Sequence, residues 1–400
     1  MQGIYGGKMK YSVAKPVFHG NERKYLLDAF DSTWISSIGK YIDKFENEFA
    51  KYCDTKYALT CSNGTTALHL AMLAIGINSG DEVIVPTFTY IATANAVSYC
   101  GAKPIFVDCR HDTWNIDENL IEKAITKRTK AIIVVHIYGH PCEMEIIWRI
   151  AKKHNLIIIE DAAEAHGAIY YSENKSRYNA KRRILSSNIN KNKVPIKVGS
   201  LGNIAIFSLF GNKIITSGEG GIITTNDDKI AEKIKLLKDQ GMSKERRYWF
   251  PIIGYNYRMT NLQAAIALAQ LENIDWHLNR RRTNAEIYNN YLKHSEFINC
   301  PIEVNNVKHV YWMYSIILTD NCRLERDNII NKLKKYGIET RPFFYPMNQL
   351  PPYYKNNNSN NYPIADKISS RGINLPSGNN LEKSDIEEIC KILLQIVKIK

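Results

Sequence analysis

The sequence predicts an α/β fold: a mostly parallel central sheet flanked by helices, with a smaller C-terminal α+β domain. Two observations carry this. From about residue 44 to 225, apolar strand-like runs alternate with amphipathic helical ones, the order of successive βα units. The strand-like runs are also apolar nearly throughout, as strands covered on both faces must be.

The elements follow in order. "YIDKFENEFAKYC" puts Ile42, Phe45, Phe49 and Tyr52 on one helical face. "YALTCS" is a strand, and "TTALHLAMLAIGI" a helix with Leu68, Met72 and Ile75 in register. Strand "DEVIVP", helix "YIATANAVSYC", strand "KPIFVD" and helix "DENLIEKAITKR" come next. Strand "KAIIVVHIYG", helix "EMEIIWRIAKKHN" and strand "LIIIED" complete the alternation. The stretch from Glu173 to Lys197 breaks it. Being polar, basic and rich in Asn, Lys and Ser, it is expected to be a mobile surface insertion. Strands "NIAIFSL" and "GGIITT" then flank a polar turn. Residues 263–294 read as one long helical region. Strand "YWMYSIIL", helix "RDNIINKLKKYG", strand "IETRPF" and a closing helix "EKSDIEEICKILLQIVKI" follow, with "NNNSNNYP" an exposed loop. These shifts divide the chain into a large domain, 1–272, and a small one, 273–400.

Composition narrows the class. The 400 residues are 44% hydrophobic and 23% charged, ordinary values for a soluble globular protein. The opening "MQGIYGGKMKYSV" lacks the apolar core of a signal peptide. No apolar run reaches the ~18 residues of a membrane span, so no membrane partner is expected. Eight cysteines without a C-x-x-C pair argue against a zinc site and a disulfide framework, and for a reducing, cytoplasmic setting. The net charge of +13 comes with an Asn, Ile and Lys bias. No aromatic-interleaved basic stripe accompanies it, so nucleic acid is not an expected partner. The charge suits an anionic, phosphate-bearing substrate.

Four signals fall at the carboxyl ends of predicted strands, where open α/β sheets bind ligands. In "CSNGTTALHL" a strand gives way through Gly64 to a helix starting near Thr65, whose free N–H groups and dipole favour a phosphate. Thr65 and Thr66 add hydroxyls. In "LIIIEDAAEAHGA", Glu160 and Asp161 close an apolar strand, and a buried carboxylate needs a partner. A protonated heteroaromatic nitrogen suits Asp161. In "SLFGNKIITSGEGG", Lys213 lies in the turn between two apolar strands, with Ser208 five residues earlier. A partly desolvated lysine has a lowered pKa and forms Schiff bases. In "TFTYIATANAV", Phe88 follows strand "VIVP" and offers a ring for stacking. Phosphate cup, aromatic, strand-end aspartate and turn lysine are together the parts of a pyridoxal-phosphate site.

The strings "SNGTTALHLA", "VPTFTYIATANAV", "IEDAAEAHGA", "GNKIITSGEGGIITTND" and "GYNYRMTNLQAAIALAQLE" resemble the DegT/StrS family of nucleotide-sugar aminotransferases. The resemblance runs from about Tyr11 to the C-terminus. It implies fold type I of the pyridoxal 5'-phosphate-dependent transferases. It also implies that Lys213 carries the cofactor and that Asp161 pairs with its ring nitrogen. Phe88 would stack on the ring, and Gly64, Thr65 and Ser208 would hold the phosphate. Glu164 would sit near the phenolic oxygen. Asn256 would reach the neighbouring subunit's cofactor phosphate, which makes a homodimer with shared sites an expectation. The implied reaction moves the amino group of L-glutamate to C4 of a nucleotide-linked 4-keto-6-deoxy sugar. Two departures stand out. The Glu173–Lys197 insertion is longer than usual, and Tyr345 stands where the family pattern has His. The nucleotide, GDP or UDP or dTDP, stays open. A non-catalytic regulatory relative is the remaining alternative, against which the intact lysine, aspartate and phosphate cup argue.

Overall fold

The computed structural model describes residues 9–173, 193–354 and 362–399. Two helices, α1 (Glu22–Asp31) and α2 (Lys40–Cys53), precede the first strand. The face of α2 carrying Phe45 and Phe49 is buried, the two rings edge to face at 5.6 Å. Asp54, left-handed at φ 58°, ends the helix. Strands β1 (Tyr57–Cys61), β2 (Glu82–Pro86), β3 (Lys103–Val107), β4 (Thr129–Val135) and β5 (Ile157–Asp161) then alternate with helices. These are α3 (Gly64–Ala74), α4 (Ala92–Tyr99), the short α5 (Glu118–Ile121) and α6 (Met144–His154). After β6 (Ile169–Ser172) and β7 (Val194–Lys197) come β8 (Ile204–Ser208), β9 (Gly221–Thr225) and α7 (Asp228–Lys238).

A seven-stranded sheet runs in the order β1-β9-β8-β5-β4-β2-β3. From β8 to β3 every neighbour is parallel; only β9 runs against its two neighbours. Parallel strands leave their carboxyl ends together on one edge, which gathers the βα loops into one place. The continuous apolar runs are buried as expected, with Ile132, Ile133, Ile159 and Ile206 fully enclosed.

Helices α8 (Asn261–Glu272) and α9 (Ile274–Leu292) lead to β10 (Ile298–Asn299), β11 (Val307–Lys308) and β12 (Tyr314–Leu318). Next are α10 (Arg326–Lys335), β13 (Arg341–Pro342), α11 (Pro363–Arg371), β14 (Gly372–Leu375) and α12 (Lys383–Val397). An antiparallel sheet β10-β12-β14-β13 covers a second core, where Tyr288 stacks on Tyr314 at 4.4 Å beside Leu333, Ile389 and Leu393. Trp312 and Phe343 instead pack into the core of the large sheet. No described helix is long and apolar enough to cross a membrane.

Several sequence expectations are corrected. The helical region 263–294 is two helices broken at Asn273, whose side chain turns back to donate to the Ala269 carbonyl; an Asn competes with its own helix in this way. The helix expected over 117–128 is only α5 and a 3₁₀ turn, Glu122–Ala124. There the Thr126 hydroxyl bonds Glu82 at 2.5 Å and its N–H bonds the Thr129 hydroxyl at 2.9 Å, which pulls the backbone out of helix. In "IETRPF" only Arg341–Pro342 pairs as strand. The end of the expected insertion is ordered: Val194–Lys197 is β7, paired with β6, its Ile196 buried. Residues 174–192 of that segment lie outside the described residues, as do 355–361 of the Asn-rich loop. Helices α1, α7 and α11 and strands β6, β10, β11 and β14 were not anticipated. α7 is capped by the Asp227 carboxylate, which accepts from Ile230 N–H at 3.0 Å.

Candidate active site

Lys213 hangs from the turn between β8 and β9. Its N–H bonds the Phe210 carbonyl at 3.0 Å, and Ser217 N–H returns to Leu209 O at 3.0 Å. The turn is pinned from a distant part of the chain, since the Trp312 indole donates to Asn212 O at 2.8 Å. That same indole lies under the lysine, with Nζ 3.9 Å from the ring centroid. The Lys213 side chain is only 12% exposed, and its Nζ is 3.8 Å from Glu164 Oε1.

Asp161 ends β5 and is buried. Its Oδ2 accepts from the Thr93 hydroxyl at 2.7 Å and its Oδ1 from Ala163 N–H at 3.2 Å. Glu164 lies one turn on, and its Oε2 accepts from Tyr138 N–H at 2.7 Å. That donor is aimed by an unusual backbone. Tyr138 and Gly139 are both left-handed, at φ 51° and 97°. A Cβ on residue 139 would come within 2.6 Å of Val310 and 3.0 Å of the Glu164 carbonyl, so only glycine allows the turn.

Gly64 opens α3. Asn63 and Thr66 form a reciprocal cap, so the Thr66 hydroxyl belongs to the cap and is not free for a ligand. The cap leaves the Gly64 and Thr65 N–H groups at the helix start without helical partners. A Cβ on Gly64 would meet Ser208 Cβ at 2.9 Å. The cup between α3 and β8 therefore closes to that width because residue 64 has no side chain. Phe88 is fully buried, 5.6 Å from Phe343 and 6.2 Å from Tyr138.

Burial dominates the electrostatics. It lowers the Lys213 amine below its usual range, against the opposing pull of Glu164 and Asp161. It pushes the Glu164 carboxyl up to about 7, although Lys213 draws it down. It also raises Asp161, with the Thr93 hydroxyl opposing. An amine held below its usual range beside two carboxylates held above theirs is an arrangement suited to proton transfer.

The fold thus gathers Lys213, Asp161 and Glu164, and brings Gly64 against Ser208. Asn256 stands apart: it is exposed, and its Oδ1 accepts from Arg258 at 2.8 Å. Tyr345 is also exposed. It borders a cleft of about 400 Å³ lined in part by Arg326, Asp366 and Arg371. Thr93, Tyr138 and Trp312 are members of the site that sequence reasoning missed. Thr93 lies 68 positions from Asp161, and Trp312 lies 100 from Asn212, and no local pattern marks either.

Comparison with known proteins identifies the family. Residues 17–394 match the DegT/DnrJ/EryC1/StrS aminotransferase family. The chain is 48% identical to GDP-perosamine synthase of Caulobacter vibrioides, over 97% of this chain and 98% of that protein. It is 44% identical to GDP-perosamine synthase of Vibrio cholerae, over 95% and 97%. Among solved structures, a putative sugar aminotransferase from Streptococcus pneumoniae in its PLP form superposes with a TM-score of 0.86. That pair is 25% identical and covers 97% of this chain and 98% of the other. The chain belongs to the DegT/DnrJ/EryC1/StrS aminotransferase family.

Proposed function

We propose that this protein is a pyridoxal 5'-phosphate-dependent nucleotide-sugar aminotransferase. It moves the amino group of L-glutamate to C4 of a nucleotide-linked 4-keto-6-deoxyhexose, with GDP as the nucleotide and a GDP-perosamine-type product. One observation carries the chemistry: a desolvated lysine amine of lowered pKa, 3.8 Å from Glu164. The resemblance to GDP-perosamine synthases over nearly the full length supports the substrate.

The residues present fit the cofactor. Gly64, Thr65 and Ser208 would hold the phosphate at the start of α3. Asp161 would hold the proton of the ring nitrogen, for which Thr93 and Ala163 already orient its oxygens. Phe88 would back the ring, and Lys213 would carry the group. When bound, the cofactor supplies the electron sink that makes the donor's Cα proton removable. Lys213 Nζ is the base that takes that proton, its free amine favoured by burial. Glu164 is the neighbouring carboxylate that balances the ammonium so formed. Trp312 covers the amine and is itself backed by the Tyr138 ring, stacked on it at 6.2 Å, which shields the amine from water.

The active form is a homodimer in which Asn256 serves the neighbouring subunit's cofactor phosphate. An exposed run supports a partner surface, with Tyr248, Trp249, Phe250 and Ile253 at 52–89% exposure. Mixing Lys213→Ala with an inactive Asn256→Asp protein would then restore about half of wild-type activity per heterodimer, because one of its two sites is intact. No recovery would place Asn256 in its own subunit's chemistry.

The deciding experiment offers GDP-, UDP- and dTDP-linked 4-keto-6-deoxyhexoses with L-glutamate and identifies the products. A 4-amino-4,6-dideoxyhexose on GDP, with 2-oxoglutarate released, is expected. Amination of only the UDP or dTDP sugar would replace the nucleotide, and no amination would overturn the reading.

A further inference from the structure

Arg341 opens β13 and lies directly opposite Asn374 of β14. Directly paired residues project to the same face of a sheet. Phe343 continues the ladder through its N–H to Gly372 O at 3.1 Å, so two residues on it shares that face. The face is the one turned to the site: the Phe343 ring is 5.6 Å from Phe88 and 5.1 Å from Tyr138. Asn374 acts on the Tyr138 phenol from the same side. Arg341 also belongs to the charges that hold the Lys213 amine down.

The other arginines near this surface are already used. Arg281 is buried and donates to the Trp312 and Ser377 carbonyls. Arg326 donates to Ser369 O and pairs with Asp327. Arg371 bonds the Leu318 carbonyl and pairs with Asp320. Arg341 differs: it is half-buried, and among the described residues its guanidinium has no hydrogen-bond or ion-pair partner. A partly desolvated guanidinium without a partner, facing a reacting amine, is a ready anion receptor.

We infer that Arg341 binds a carboxylate of the amino donor, an inference that rests on the aminotransferase reading above. The choice between the two anionic substrates follows from their chemistry. In L-glutamate a carboxylate is attached to the reacting carbon itself. In the nucleotide sugar the diphosphate leaves C1, across the ring from the reacting C4. A cation near the lysine therefore serves the carboxylate, and the fixed fork of Arg341 would orient the donor's Cα toward Lys213 Nζ.

The test uses cofactor-loaded wild type, Arg341→Gln and Arg341→Lys, each checked for an intact visible cofactor band. L-Glutamate is titrated in the absence of sugar, and loss of the band gives the half-saturation concentration. Binding of glutarate, a dicarboxylate with no amine to transfer, is measured by calorimetry. Arg341→Gln is expected to raise the half-saturation for glutamate about tenfold to a hundredfold, the usual weight of a charge-assisted hydrogen bond. It should weaken glutarate in parallel, with Arg341→Lys intermediate and KM for the sugar nearly unchanged. Unchanged glutamate and glutarate binding overturns the inference alone, as does a rise confined to KM for the sugar. A wild-type band that glutamate does not bleach overturns the aminotransferase reading as well.

Discussion

Glu160 and Asp161 are adjacent carboxylates at one strand end, both buried, on opposite faces of the sheet. Glu160 is saturated. It accepts from the N–H groups of Gly199, Leu201 and Gly202 at 2.6–2.9 Å, and from His136 Nε2 at 3.2 Å. His136 Nδ1 accepts from Cys142 N–H at 3.1 Å, which leaves the ring proton on Nε2 for Glu160. Asp161 has two donors, and a carboxylate accepts about four bonds. The first face is a structural clasp joining β4, β5 and the approach to β8. The second keeps lone pairs in reserve beside a desolvated lysine. The same chemical group at one buried strand end serves stability on one side and reaction on the other, according to what the neighbours have already satisfied.

The largest effect that separates the faces should come from Lys213→Ala. Turnover is expected to fall by at least about ten-thousandfold, the upper range for a removed acid–base group, with no visible cofactor band. The melting temperature should hold or rise, because a polar group in a desolvated site is removed. Substantial transamination by this variant would displace Lys213 from the mechanism.

Asp161→Asn and Glu160→Gln test the comparison directly. Asp161→Asn should lower kcat by about a hundred- to thousandfold, as when a preorganised electrostatic partner is lost, with little change in folding. Glu160→Gln should do the reverse. It places an amide among donors, costs about 1–3 kcal/mol of stability, and leaves kcat within a few-fold. Equal kinetic losses in both variants would end the distinction between the faces.

A smaller effect is expected for Thr93→Val, which removes one donor from Asp161 and keeps the shape. kcat should fall about tenfold, as for loss of a hydrogen bond to a charged group, while Thr93→Ser restores most of it. If Val and Ser behave alike, the hydroxyl does not orient Asp161.

The last prediction concerns pH. Burial raises the Glu164 carboxyl to about 7, above its unfolded value. Its contribution to stability is therefore fully present below about pH 4.5 and is lost as pH rises through 7, by up to about 3 kcal/mol. Denaturant unfolding of the cofactor-free protein between pH 4.5 and 8 should show this slope in wild type and a flatter one in Glu164→Gln. Parallel curves would mean that Glu164 does not titrate in this range.

Much of this molecule is legible in the chain. Strands of the central sheet appear as apolar runs because both of their faces are buried. The helix start at Gly64 is visible because Asn, Gly and Thr there have cap chemistry. Asp161 and Lys213 stand out because each is polar at the end of an apolar run. Elements whose stability is set by side-chain bonds escape such a reading. Asn273 breaks a helix that periodicity alone would continue, and Thr126 unwinds one by bonding to Glu82. β14 is short and is held between β12 and β13, both distant in sequence, so it does not announce itself.

By itself the sequence determined the periodic elements, the βα alternation and the order in which phosphate cup, aromatic, aspartate and lysine occur. Each depends on residues close along the chain, where hydrophobic period, caps and turn chemistry act. Only the tertiary structure decided which of two neighbouring carboxylates has lone pairs to spare. It also brought Thr93 onto Asp161, aimed the Tyr138 N–H at Glu164, and laid Trp312 under Lys213. Those contacts join residues far apart in sequence, and the pKa shifts that make the site reactive come from burial, which no residue has until the chain around it has packed.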